Sequence, residues 1–397
     1  MKSKLKFLFL FIIYLAYLFF LKLIVVFLKR KDHVMVFLQN SHIGGTRKYS
    51  YDLINYLADQ KFNVTILSEF CGECNFENLA NQKISVLEIP KRFEPVYHIY
   101  SLKHSLFKYF LLENLKYAVV LSKCQIKARA SVIILSIAEP SQMFASFICN
   151  ANIYYILHTT PWVNIDVGNK WILSRYEKKV KIITVSNYTK NEILKFWRLS
   201  NNCNNVSVIH NFSVDLMREY RGVDSEIKVV CIASVVKDKN PYYFIECAIN
   251  LTRKFQNVIF YWIGDGPLLS DCILRCINFP RVIFDGHHDN IKDILNKAQI
   301  YFHPSLCESH GITVIEAMSC GLPCIVTNVG GTTESVLDGV NGFHISPTNI
   351  TNGIETLTKL IESKDLREQM GNESRLRFNN FFTKATWTEK MDSIFDI

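Results

Sequence analysis

Apolar residues along this chain fall into three arrangements, and each predicts a different element. The first is a run near the start, Phe7 to Leu21, resumed from Leu23 to Leu28 after Lys22. About 22 residues of helix rise roughly 33 Å, enough to cross the hydrocarbon of a bilayer. The second arrangement is a series of short, nearly continuous apolar runs: Val34–Leu38, Asn63–Leu67, Val132–Leu135, Ile153–Leu157, Ile182–Val185 and Val206–Ile209. After a polar joint at about 214–226 the series restarts with Lys228–Ala233, Val258–Ile263, Arg281–Phe284, Ile300–Phe302 and Pro323–Thr327. Runs without alternation read as parallel strands covered on both faces. Between them lie segments of helical spacing, such as Tyr51, Leu53 and Leu57, Leu102 to Lys127, and Tyr242 to Phe255.

Strands alternating with helices predict an α/β protein with two Rossmann-like, doubly wound domains facing across a cleft, behind an N-terminal membrane-anchor helix. The expected divisions are 1–31 for the anchor, 32–215 for the first domain, 216–377 for the second and 378–397 for a terminal helix. Strands of the second half deliver polar and glycine-rich residues at their carboxyl ends, as in Gly264-Asp-Gly-Pro267, Asp285-Gly286, His303-Pro-Ser305 and Asn328-Val-Gly-Gly331. Open α/β sheets bind ligands at those ends.

Charge sharpens the picture of the first half. The formal net charge is +9, but residues 1–215 carry 27 Lys and Arg against 14 Asp and Glu, and residues 216–397 carry 18 against 22. A basic half suits an anionic partner, and without any nucleic-acid motif a membrane surface is the expected one. Lysines flank the apolar run on both sides (Lys2, Lys4 and Lys6; Lys29, Arg30 and Lys31), so positive charge barely orients it. The run reads either as a spanning anchor or as a monotopic insertion. The segment Leu102–Lys127, with Lys103, Lys108, Lys116, Lys123 and Lys127 among Leu, Phe and Tyr, reads either as a membrane-surface helix or as a packed helix with a basic face. Most of the twelve cysteines sit in apolar stretches, as expected of buried thiols in a reducing compartment, and the globular part is placed on the cytoplasmic side. Cys71-Gly-Glu-Cys74 lacks a second pair and reads as a turn.

The segment richest in chemistry is Pro304-Ser-Leu-Cys-Glu308-Ser-His-Gly-Ile-Thr-Val-Ile-Glu316-Ala-Met-Ser-Cys-Gly321-Leu-Pro323. A helix is expected from about Gly311 to Cys320, capped by Gly321 and stopped by Pro323. Amides near Ser309, His310, Gly311 and Ile312 would suit an anion or hydroxyls. Glu308 precedes the helix and Glu316 lies within it, and two such carboxylates can each grip a vicinal diol. A nucleotide sugar offers two diols. His303, Cys307 and His310 fit no common zinc spacing, so no metal and no cofactor are expected.

These residues, with their E-x(7)-E spacing and the surrounding S-x-x-E-S-x-G-x-x-x-x-E-A-M-x-x-G-x-P-x-I, resemble the family 4 retaining glycosyltransferases of the GT-B fold. The resemblance runs from Gly44 to the final helix. It implies that Glu308 contacts the donor sugar and Glu316 the ribose hydroxyls. It implies further that Lys239, in Ile232-Ala-Ser-Val-Val-Lys-Asp-Lys239-Asn240, neutralises the donor diphosphate. Ser234 stands where many members have an arginine, leaving one fewer fixed charge on the leaving group. His158 resembles the strand-end histidine near donor sugar and acceptor, and Gly44-Gly45-Thr46 the loop that approaches phosphate or acceptor. Gly286-His287 corresponds to the backbone that holds the base, Ser186 and His210 to strand ends of structural role, and Glu334 to a first-turn acid. The stretch from Phe378 resembles a helix that crosses back to the first domain.

The resulting expectation is retaining transfer of a sugar from a UDP- or GDP-linked donor to a lipid-linked or membrane glycan acceptor in surface polysaccharide or glycolipid synthesis. The alternatives are an inactive membrane scaffold of the same fold and a sugar-nucleotide epimerase, the latter lacking the acid/base residues it would need. An NAD enzyme is disfavoured because no G-x-G-x-x-G follows the first strand.

Overall fold

The computed structural model describes residues 2–38, 45–68, 84–88, 104–136, 151–159, 180–196, 204–216 and 226–395. The chain divides into two compact units, Met1–Thr184 with Thr189–Val208, and Val185–Tyr188 with Ile209–Ile397.

The first unit begins with helix α1 (Lys2–Leu28), and strand β1 (Arg30–Leu38) starts after a single intervening residue. There follow α2 (Gly45–Asp59), β2 (Asn63–Ser68), β3 (Ile84–Glu88), α3 (His104–Ala128), β4 (Ala130–Ser136), β5 (Asn152–Leu157), β6 (Val180–Thr184), α4 (Asn187–Phe196) and β7 (Val206–Val208). All strands are parallel, in the order β3-β2-β1-β4-β5-β6-β7. The chain enters at β1, winds outward through β2 and β3, then returns to the other side at β4. That reversal is the doubly wound topology, and it demands strands apolar on both faces. Met35, Val36, Phe37, Ile133, Ile134 and Leu135 are all fully buried, as such strands require.

The second unit repeats the plan. It contains β8 (Ile227–Ile232), α5 (Pro241–Lys254), β9 (Val258–Ile263), α6 (Leu269–Cys276), β10 (Val282–Phe284), α7 (Ile291–Lys297), β11 (Ile300–His303), α8 (Ile312–Ser319), β12 (Cys324–Thr327), α9 (Thr332–Ser335), β13 (Gly342–Ile345), α10 (Ile350–Glu362), α11 (Lys364–Phe381) and α12 (Lys384–Phe395). The sheet order is β10-β9-β8-β11-β12-β13, again all parallel. Successive residues of β8 serve opposite layers. Val229 and Cys231 join Phe244, Trp262 and Phe302 on one side, and Val230 and Ile232 join Tyr301, Val314 and Met318 on the other. Pro at the first position of α5 supplies a preset helical φ where no amide partner is needed.

Buried thiols fill gaps in these layers. Cys231, Cys247, Cys272, Cys276, Cys320 and Cys324 are free and buried, and burial pushes the Cys247 thiol up to about 12. The final helices close the second unit on itself. Arg375 clasps Asp215 with two contacts of 2.6 Å, and Trp387 packs on Phe212 with ring centroids 4.8 Å apart.

Candidate functional site

The strand order of the second sheet reverses between β8 and β11, and the segments leaving these two strands bring Lys239 and Glu308 together. After β8 the chain makes a 3-10 turn, Lys237–Lys239, ended by Asn240 at φ 59°, ψ 49°. Asn tolerates that left-handed backbone better than most residues, and its Nδ2 donates to Pro347 O at 3.1 Å. The segment after β11 is tied to the same turn, since Leu306 N donates to Asp238 O at 2.8 Å. Topology and turn chemistry thus place an ammonium beside a carboxylate at the carboxyl ends of two adjacent strands.

The Lys239 Nζ and Glu308 Oε2 form a direct ion pair in which both side chains retain limited exposure, 23% and 15%. Burial alone would raise the Glu308 pKa, yet the Lys239 charge and the His303 hydrogen bond hold it well below the usual carboxylate range. Burial likewise opposes charge on Lys239, and the neighbouring carboxylate prevails and raises its pKa. Both groups are charged at neutral pH. His303 Nε2 lies 3.1 Å from Glu308 Oε2 and 2.9 Å from Ser305 Oγ. Because a carboxylate only accepts, Nε2 carries the proton and donates to Glu308. Burial depresses the His303 pKa, so the ring is neutral, and its Nδ1 has no hydrogen-bond partner among the described residues. Sequence reasoning weighed His303 only as a metal ligand. What identifies it as a partner of Glu308 is its place as the last residue of β11.

Helix α8 begins beside this cluster. Gly311 caps it at φ 76°, a conformation glycine adopts freely, and Val314 N donates back to Gly311 O at 3.1 Å, which leaves the amides that precede it as the ones without an acceptor in a preceding helical turn. The Tyr301 hydroxyl, 2.8 Å from Thr313 Oγ1 and 3.3 Å from Ile232 O, fixes that first turn to both β8 and β11. Glu316 lies one turn inside α8 and is only 3% exposed. His310 is buried against His210 with ring centroids 4.8 Å apart and Ser335 Oγ 3.3 Å from its Nε2. Burial and the neighbouring His210 lower its pKa to about 3, so it is a neutral ring packed beneath the loop. Ser309 and Ile312 are half-buried on either side of His310 and Gly311.

Two glycines hold the Glu308 backbone. Gly331 N donates to Glu308 O at 3.0 Å, and a Cβ on Gly330, whose φ is 62°, would lie 1.7 Å from that same oxygen. Gly330→Ala is therefore expected to lower stability by more than about 2 kcal/mol and to displace Glu308. Gly339→Ala shares the positive φ (75°) but meets no atom within 4 Å, so it should cost only about 1 kcal/mol. Thermal melts of the two variants side by side check this difference.

Glu334 does more than the first-turn acid that the sequence suggested. Its carboxylate accepts from Asn187 N and Nδ2 at 2.9 Å each and from Tyr188 N at 2.8 Å, capping the start of α4 rather than its own α9. It also meets His210 Nε2 at 2.8 Å. Burial opposes ionisation, but the His210 contact and the donated amides lower its pKa to about 2. Arg377 in turn donates to the carbonyls of Glu334 and Ser335 and fixes α9 from below.

The remaining predicted residues are placed as follows. Ser234 is exposed two residues beyond β8. Gly286 has φ 70° with open space where a Cβ would stand, and its carbonyl accepts from Gly264 N at 2.7 Å. His287 is exposed and pairs with Asp289 at 3.2 Å. In the first unit His158 follows β5, buried edge-on to Tyr49 at 4.5 Å, and burial lowers its pKa to about 4. Gly45 and Thr46 form the start of α2, and Gly44 lies outside the described residues. Among the described residues, no group of three or more His, Cys, Asp or Glu side chains is disposed to hold a metal ion.

Comparison with known proteins bears on the same segment. Residues 215–377 match the family described as glycosyl transferases group 1. The matched stretch lies within the second unit. Among curated relatives, 163 residues of the chain are 29% identical to the UDP-Gal:alpha-D-GlcNAc-diphosphoundecaprenol alpha-1,3-galactosyltransferase of Escherichia coli, covering 40% of this chain and 42% of that one. A longer stretch of 251 residues, 61% of this chain and 65% of the relative, is 26% identical to the capsular polysaccharide biosynthesis glycosyltransferase CapM of Staphylococcus aureus. In neither relative does the matched stretch reach two thirds of the length. The glycosyltransferase from Rickettsia africae superposes with a TM-score of 0.75 at 17% identity, over 92% of this chain and 98% of that one. That likeness extends the GT-B type of fold over both Rossmann-like units.

Proposed function

We propose that the chain is a retaining glycosyltransferase that moves a sugar from a nucleotide-sugar donor, UDP- or GDP-linked, to a lipid-linked or membrane glycan acceptor in surface polysaccharide or glycolipid synthesis. The observation that carries this reading is the Lys239–Glu308–His303 cluster, half-buried at Lys239 and Glu308 and buried at His303, at the switch point of the second sheet beside the start of α8. A donor diphosphate needs fixed positive charge, and Lys239 with the α8 amides supplies it without reorganisation. Donor-sugar hydroxyls need a strong acceptor, and Glu308 is held ionised for that role. Glu316 takes the ribose hydroxyls, and the backbone at Gly286 and His287 holds the base. Gly44, Gly45 and Thr46 approach phosphate or acceptor, and His158, neutral above about pH 5, faces the transferring sugar.

In the reaction, the bond between the anomeric carbon and the diphosphate oxygen breaks, and the leaving group takes the electron pair. The acceptor hydroxyl bonds to the same face of the sugar and its proton passes to a leaving phosphate oxygen. No protein nucleophile is required. Lys239 turns from Glu308 toward the departing diphosphate as charge grows there, while Glu308 exchanges one cation for sugar hydroxyls. No metal is expected in this scheme, since Lys239 and helix amides carry the electrostatic task. The name of the Escherichia coli relative, with its UDP-sugar and diphosphoundecaprenol acceptor, and that of the capsule enzyme support the donor and acceptor classes.

Ser234, exposed where many related enzymes have an arginine, favours a second reading, an inactive scaffold of the same fold. Incubating the full chain with UDP-, GDP- and ADP-sugars and membrane lipid extracts separates the two. Turnover of one donor, with an axial or equatorial anomeric configuration preserved in the product by proton NMR, is the expected result. A folded chain that turns over no donor in the panel favours the scaffold.

A further inference from the structure

The apolar helix α1 is not clad in lipid on all sides. Phe11, Tyr14, Leu18, Leu21 and Val25, spaced three and four apart, form one stripe along it. Leu18, Leu21 and Val25 are buried within the first unit, and Phe11 and Tyr14 pack on the core that includes Leu115, Ala118 and Leu121 of α3. Lys123 of α3 stands over the Tyr17 ring at 5.4 Å. The stripe runs for about 21 Å at 1.5 Å per residue, about two thirds of the ~30 Å hydrocarbon thickness. The opposite face, Phe9, Ile12, Phe19, Phe20, Leu23 and Phe27, is exposed, and Phe27 is 84% exposed. Mean hydropathy over Phe9–Leu28 is 2.6, far above what an exposed helix in water sustains.

A spanning orientation would carry α3 into the hydrocarbon beside α1. That helix holds Lys108, Glu113, Lys116, Lys123 and Lys127, buries Gln125 against Ala130 O at 3.0 Å, and leads directly into β4 of the sheet. Ionised side chains at membrane depth are strongly disfavoured. Two residues after the end of α1, Arg30 N already donates to Arg129 O at 2.8 Å, so α1 is tethered to the sheet without slack. Exposed Lys29, Arg30, Lys31, Lys123 and Lys127 border the helix and suit an anionic headgroup layer.

We infer that α1 attaches the chain to one leaflet of an anionic membrane by lying in its plane, with the Leu18–Leu21–Val25 stripe on α3 and the Phe19–Phe20–Phe27 face in the acyl boundary. The inference rests on the membrane part of the proposed function but not on transfer, and its test reads topology rather than activity. A protease-cleavable tag is placed before Lys2 of the full chain, and membrane vesicles with the cytosolic face outward are treated with protease. Cleavage of both tag and globular part is expected. A tag protected inside the vesicles means a spanning helix and overturns the inference.

Two variants give a second, independent readout. Phe19→Glu with Phe27→Glu should weaken binding to vesicles of equal parts phosphatidylcholine and phosphatidylglycerol by at least about a hundredfold, with an unchanged melting temperature in solution. Leu18→Ala with Leu21→Ala should lower the melting temperature by several degrees, since these residues face protein. If that pair leaves melting unchanged, or if the wild-type chain ignores the vesicles and covers α1 in a discrete dimer, the inference fails. Transfer activity with a protected tag sinks this inference alone, and in-plane binding without transfer sinks only the enzymatic reading.

Discussion

Glu308→Gln is expected to lower the rate of sugar transfer by on the order of a hundredfold to a thousandfold, with the melting temperature within a few degrees of the wild type. The rate effect follows from replacing an ionised acceptor by a neutral one where charge-assisted hydrogen bonds to the donor sugar strengthen in the transition state. Losing one such preorganised contact costs about 3–4 kcal/mol of barrier. The fold is spared because the amide oxygen still accepts from His303, and the Lys239 ammonium, 23% exposed, keeps contact with water. Single-turnover transfer at saturating donor, beside a thermal melt, checks both halves. A variant that turns over normally removes Glu308 from the chemistry, and one that fails to fold assigns it a structural role.

Glu334→Gln is expected to destabilise the fold by an amount that depends on pH. The folded carboxylate has a pKa of about 2 against an ordinary 4.5, so it contributes stability that is fully present above pH 4.5. The contribution disappears as pH falls from 4.5 toward 2, because the unfolded chain then binds the proton that the folded state refuses. The shift corresponds to roughly 3 kcal/mol at neutral pH, of which an amide that still accepts one α4 hydrogen bond would retain part. The variant is therefore expected to be about 2 kcal/mol less stable at pH 7 and nearly equal to the wild type near pH 2.5. Urea titrations at several pH values test this. A difference independent of pH would mean that Glu334 acts by shape and hydrogen bonding alone, without its charge.

The strands that organise both units were legible because parallel strands buried on both faces leave unbroken apolar runs. Val258–Ile263 coincides with β9, and Lys228–Ala233 is displaced by one residue from β8. The strands that escaped notice lack that signature. In β13, Gly-Phe-His-Ile has two half-buried side chains and no apolar run, and β3 is a short edge strand in which Ile84 to Leu87 are exposed or half-buried. Lys239 and Glu308 were likewise legible, since the spacing of motifs around them is distinctive. Their ion pair was not, because the two residues stand 69 positions apart in sequence and meet only where β8 and β11 are neighbours. The role of Glu334 was hidden for the same reason. Glu334 serves a helix that begins 147 positions earlier, and no local pattern encodes such a partner. The apolar N-terminal run gave the end of α1 at Leu28 but neither its start at Lys2 nor its buried stripe, since a uniformly apolar helix shows no preferred face until another element packs on it.

The most direct test of the central claim, a nucleotide-sugar site built on Lys239 at the switch point, is a calorimetric titration of UDP, GDP and ADP into the full chain and its Lys239→Ala and Lys254→Ala variants. Lys254 belongs to the same domain but pairs with Glu362 on the exposed surface at 3.2 Å. The account predicts that one diphosphate binds the wild type and Lys254→Ala alike and binds Lys239→Ala at least about tenfold more weakly, the loss of one charged contact. Equal binding by Lys239→Ala, or no binding of any of the three to the folded wild type, would contradict it.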